Sequence, residues 1–320
     1  MQPSQNLNVQ DLELLHQFIT STCIANAQLP EAVAQTVATV PAMARTHPFV
    51  MRGILAEAAV HLSWLRPAQK AHYTTLAAKH HSLAIPEFRS AMATVHQGNY
   101  RALVEYAFTL VWCSFAWFDA FSARDALLSD NWLPNWFHLL RGACLVVSRP
   151  PQAKYGPSTA DESFATAMDF LSHNDFYHLS MLELELLPLV NSPISGEVLA
   201  ILKHSFALAS MRHVNTPLRL AMNFWVGSLP DTFIDLLHKK EPWSLVVLAH
   251  FAILVKRSET RWFMQGHGLV LYRLATEPLS EYWTGFLRWP SQEFESYRSC
   301  PAVGYQCEAL GYCNLSWKDS

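Results

Sequence analysis

Two apolar runs constrain this chain more than anything else in it: "YAFTLVWCSFAWF", starting at Tyr106, and "WSLVVLAHFAILV", starting at Trp243. Glu105 and Asp119 bound the first, and Glu241 and Lys256 bound the second. Each holds about 13 residues, short of the roughly 20 that a bilayer-spanning helix needs. They read as buried core helices. Elsewhere apolar residues recur at three- and four-residue spacing, and two-residue alternation with β-branched enrichment is scarce. The expectation is an all-α fold: a single large helical domain over residues 8–295, followed by an irregular tail over 296–320. Hydrophobic residues make up 51% of the chain and charged residues 15%, which excludes a disordered chain and leaves few charges to coat the surface. Some apolar surface is then left exposed or lines a cavity.

Prolines and glycines punctuate the pattern. In "THPFVMRGILAEAAVHLSWLRP" Thr46 stands where a cap belongs, Pro48 fits the first turn, and Pro67 stops the helix. Pro86 is expected to kink or break the next helix. The stretch 148–163, "SRPPQAKYGPSTADES", reads as a long surface loop within one domain, since the same helical pattern continues on both sides without a charge shift. A further helix is expected from about Gly196 to Val214.

Chemical signatures are sparse. A formal net charge of -3 gives no field for a polyanion, so no direct nucleic-acid binding is expected. The N-terminus lacks the basic start and apolar stretch of a signal peptide, which points to a protein that stays inside the cell, without a membrane span. Cys300, Cys307 and Cys313 cluster, but no histidine follows Cys300 to complete a closed zinc site, and Cys23, Cys113 and Cys144 sit in apolar contexts as core thiols. His173/His178 and His80/His81 lack the spacing that puts two imidazoles on one helical face. Neither a metal nor a cofactor is expected. "RWFMQGHGLVLYRL", residues 261–274, has a glycine pair around His267, yet a dinucleotide loop would need a third glycine and a preceding strand. The pair reads as close helix packing or as the wall of a cavity.

Six segments in order carry a family resemblance: "DLELLHQFITSTC", "HPFVMRGILAEAAVHL", "YTTLAAKHHSLAIPEFRSAM", "NWFHLLRGACLV", "EPWSLVVLAHFAILV" and "RWFMQGHGLVLYRL" with "YWTGFLRWP". Together, from about Asp11 to Pro290, they resemble the C-terminal region of fungal sterol uptake control proteins and related zinc binuclear cluster transcription factors. The resemblance implies a helical regulatory domain that holds a sterol in an apolar pocket and controls nuclear action. The family's cysteine cluster has no counterpart here, since no CxxC occurs, and a regulator without its own DNA reader is expected. A homodimer or a partner transcription factor would then be its companion, in the cytoplasm, the nucleus or both.

The expected ligand is a neutral lipophile of sterol or terpenoid size. Trp225, His250, Phe251, Leu254, Trp262, Phe263 and His267 are the residues expected to line its site. His250 or His267 would supply one orienting hydrogen bond. The alternative is a cofactor-free cyclase or isomerase of fungal secondary metabolism, with His250 or His267 as acid or base.

Overall fold

The computed structural model describes residues 9–26, 30–117, 132–148, 166–190, 192–211 and 217–295. Most of the expected loop after Ser148, the tail over 296–320 and Cys300, Cys307 and Cys313 lie outside these residues. Every regular element among them is helical and no strand occurs, so the all-α expectation holds. No helix among them is long and apolar enough to cross a membrane. The described residues fall into two compact units; the first holds those up to Trp117, residues 139–148 and the short segment Arg261–Phe263.

In the first unit α1 (Val9–Gln17) passes through a π-helical turn, Phe18–Thr22, into α2 (Cys23–Asn26), followed by α3 (Pro30–Ala44), α4 (Pro48–Leu65), α5 (Lys70–Met92) and α6 (Tyr100–Ala116). α4 is the centre of this unit, with Ile54, Leu55, Ala58, Ala59 and Leu62 all buried, as the helical spacing predicts. Pro48 occupies its first turn, where a missing N–H costs nothing. His47 takes the cap position, because the Thr46 hydroxyl instead donates back to the Met43 carbonyl. Gly53 lets α6 come close: a Cβ there would lie 2.8 Å from the Tyr106 ring. α5 continues through Pro86 without a break. The Ser82 carbonyl that Pro86 leaves without a donor lies on an exposed residue, where solvent can take it.

The second unit takes its described residues from within 132–138, 166–260 and 264–295. Helix α7 (Asn135–Val147) places its start, Trp136 to His138, in this unit and its remainder in the first. Then come α8 (His173–Leu186), α9 (Ser195–Ala209), α10 (Pro217–Ser228), α11 (Asp231–His238), α12 (Pro242–Arg257), α13 (His267–Thr276) and α14 (Arg288–Glu295). α9 ends at Ala209, short of the expected Val214, and 212–216 lie outside the described residues. Every residue of α12 from Trp243 to Val255 is buried. That is the burial its uninterrupted apolar run requires. Ser172 caps α8 by accepting from the Asp175 N–H, and the Asp175 carboxylate takes a two-pronged bond from Arg257 at 2.8 Å on each arm, tying α8 to the end of α12.

The glycine pair now has a structural explanation. Gly266 precedes α13 with φ of 81°, in the left-handed region where a side chain is strained. A Cβ on Gly268 would fall 2.6 Å from the backbone nitrogen of Lys256, so α12 and α13 touch backbone to backbone there. The Glu259 carboxylate accepts from the Gly268 N–H at 2.8 Å and from that of Gly266, satisfying two orphan donors at the start of α13.

Candidate functional site

Aromatic residues of the second unit form a continuous array. Trp225 of α10 and Phe251 of α12, both fully buried, stack with ring centroids 3.8 Å apart and planes within 10°. Phe137 meets Trp225 edge-on at 6.1 Å, and Trp136 is next to Phe137 at 6.0 Å. His267 meets Trp136 edge-on at 6.4 Å. Trp225, Phe251 and His267, expected together from sequence, thus belong to one array. The Trp225 indole N–H of this array is buried and has no hydrogen-bond acceptor among the described residues. Burying such a donor unpaired costs about 1–3 kcal/mol.

His250 points elsewhere, because it is rotated by about 100° from Phe251 on the helix. It lies 5.8 Å from the Trp289 ring, which stacks flat on His178 at 4.8 Å. Its Nδ1 lies 2.8 Å from the Val246 carbonyl, an acceptor only, so Nδ1 carries the proton and Nε2 is the unprotonated face. Burial pushes its pKa down to about 4, and the imidazole is neutral near neutral pH. Leu254 is fully buried on the same helix.

Trp262 and Phe263 belong to the first unit. Trp262 stacks on His61 at 4.7 Å, and Phe263 packs against Trp112 at 5.6 Å and Phe115 at 6.2 Å. Beneath Trp262 lies a polar cluster that the sequence reading passed over. Asn26 donates from Nδ2 to the Glu57 carboxyl, accepts the Trp262 indole N–H on Oδ1 at 3.1 Å, and accepts Arg261 on its backbone oxygen. The π-helical turn brings the Thr22 hydroxyl within 3.0 Å of His61 Nδ1. Burial raises the Glu57 pKa to about 7, with the Asn26 bond opposing and the Glu105 charge reinforcing the rise. Burial lowers His61 to about 4 and, with Glu57, raises the Cys23 thiol to about 12. The sequence signal was a single carboxylate, Glu57, inside the apolar stretch "ILAEAAVHL". Among the described residues no group of three or more His, Cys, Asp or Glu side chains is placed to hold a metal ion.

No protein-family model matches the chain. Over 183 residues it is 24% identical to a Zn(2)-C6 fungal-type transcription factor of Gibberella zeae, an alignment covering 55% of this chain. It is fungal transcription-factor-like. The alignment takes in 33% of that relative, so the chain spans about a third of the length of the protein it matches.

Proposed function

We propose that the chain is a ligand-responsive regulatory domain of the sterol uptake control type, acting in the nucleus. It binds a neutral lipophile of sterol or terpenoid size in its second unit and passes that state to a DNA-reading module outside these 320 residues. The observation that carries the reading is the buried Trp225 N–H, a donor without an acceptor among the described residues, in an array of stacked aromatic rings. A lipophile with one hydroxyl or carbonyl, seated against Trp225 and Phe251, supplies that acceptor while its hydrocarbon body stays in apolar surroundings. His267 edges the same array through Trp136, and Leu254, three residues on from Phe251, extends the wall along α12, while His250 faces Trp289. Trp262 and Phe263 are assigned to packing in the first unit. The likeness to a fungal transcription factor supports the regulatory role.

For the cyclase or isomerase alternative His250 is a poor acid, since its protonated form is scarce at neutral pH and its Nδ1 proton is held by Val246. A fusion of this chain to a heterologous DNA reader, driving a reporter in a sterol-auxotrophic yeast, tests the regulatory reading. Reporter output changes with sterol supply if the reading is right. Output indifferent to every sterol and terpenoid supplied rejects it.

A further inference from the structure

α8 buries one side and leaves the other bare. Asp175, Leu179, Leu182 and Leu186 face the interior, whereas Tyr177 is 61% exposed and Leu184 68% exposed, seven residues apart on one stripe with Phe176 beside them. Met168 and Phe170 on the preceding turn, and Leu189 just beyond the helix, are exposed as well. Large apolar side chains gathered on one short segment mark an interaction surface more often than scattered ones do.

The charges around this stripe say what covers it. Residues 166–190 contain Asp169, Asp175, Glu183 and Glu185 and no lysine or arginine. Arg257 neutralises Asp175, and Lys203, lying 5.7 Å over the Phe176 ring, pairs with Glu183. Asp169 and Glu185 are exposed and have no ion-pair partner among the described residues. The rim of the stripe is therefore acidic. We infer that this face of α8 docks a protein segment that is apolar on one side and basic at its edges, such as an amphipathic helix lined with leucine and lysine or arginine. A second copy would set carboxylates against carboxylates across the contact, and an anionic membrane would repel the same rim. The inference stands on the surface of α8 alone and does not depend on a ligand beside Trp225.

The test uses the full chain and two synthetic helices of about 18 residues, long enough for five turns, one of leucine and lysine and one of leucine and glutamate. Fluorescence anisotropy should show the lysine peptide binding at least about tenfold more tightly than the glutamate peptide. Tyr177→Ser with Leu184→Ser should weaken it by about tenfold or more. Asp169→Asn with Glu185→Gln should weaken it about threefold and flatten its salt dependence. All four side chains are exposed, so the melting midpoints of both variants should match the parent. Unchanged binding by the serine variant, or a lowered midpoint showing that it is structural, overturns the inference. So does a dimer in sedimentation that the serine variant dissolves, or retention of the chain on phosphatidylserine vesicles through the same residues.

Discussion

Replacing Gly268 by alanine should destabilise the second unit, although alanine favours a helix. The added methyl would sit 2.6, 2.7 and 2.8 Å from N, Cα and Cβ of Lys256, where a relaxed contact needs 3.4 Å or more. Two of those atoms are backbone, at the end of α12 where it meets the start of α13, so no side chain can swing aside and α13 must back off bodily. Overpacking of this kind costs about 1–3 kcal/mol. Retreat of α13 also loosens the bond from the Gly268 N–H to Glu259, about another 1 kcal/mol, while helix propensity returns at most about 1 kcal/mol. The net expectation is a loss of about 2 kcal/mol. Gly142 in α7 is the control, because a Cβ there meets nothing within 4 Å, and Gly142→Ala should gain about 0.5–1 kcal/mol. Denaturant unfolding followed by tryptophan fluorescence compares the two. A Gly268→Ala protein as stable as the parent, beside a stabilised Gly142→Ala, would refute the close approach of α12 and α13.

Two further outcomes follow from the buried polar groups. Because the Glu57 pKa in the folded state is raised from 4.5 to about 7, the folded protein holds a proton there that the unfolded chain has lost, so stability falls as pH rises through that window and levels off above it. Glu57→Gln should remove this part of the fall, and denaturant midpoints measured from pH 5 to 8 that run parallel for the two proteins would count against the raised pKa. Asp175→Asn, which breaks the two-pronged bond to Arg257, should cost about 2 kcal/mol; a loss of only a few tenths in the same unfolding assay would mean that α8 is not held through that ion pair.

The helices were readable because burial leaves a local imprint. A run such as Trp243 to Val255 has apolar groups on every side only if other helices surround it, and α12 is buried throughout. Stops at Pro67 and starts at Pro48 follow from one missing N–H. Whether Pro86 breaks its helix, which it does not, depends on whether the freed carbonyl reaches solvent, and that is a property of the folded surface. The grouping of site residues was readable only in part. Spacing put His250 and Phe251 on one turn, but their different neighbours, Trp289 and Trp225, come from helices far away in sequence. Trp262 looked like a continuation of the glycine-rich segment, whereas its indole N–H is taken by Asn26, 236 residues earlier. The role of Glu259 as the cap of α13 depends on the left-handed Gly266, a conformation that glycine permits and no spacing rule announces.

Trp225→Phe separates the ring from its N–H and tests the proposed lipophile site most directly. The variant and the parent are titrated with a 3-hydroxysterol and with the matching sterane that lacks the hydroxyl, binding being read from the shift in melting midpoint and from calorimetry. The parent should prefer the hydroxylated sterol by about 1–2 kcal/mol, the worth of a buried hydrogen bond, and Trp225→Phe should abolish this preference while still binding the sterane. A parent that binds neither sterol, or a preference that survives in Trp225→Phe, would contradict the proposed lipophile site.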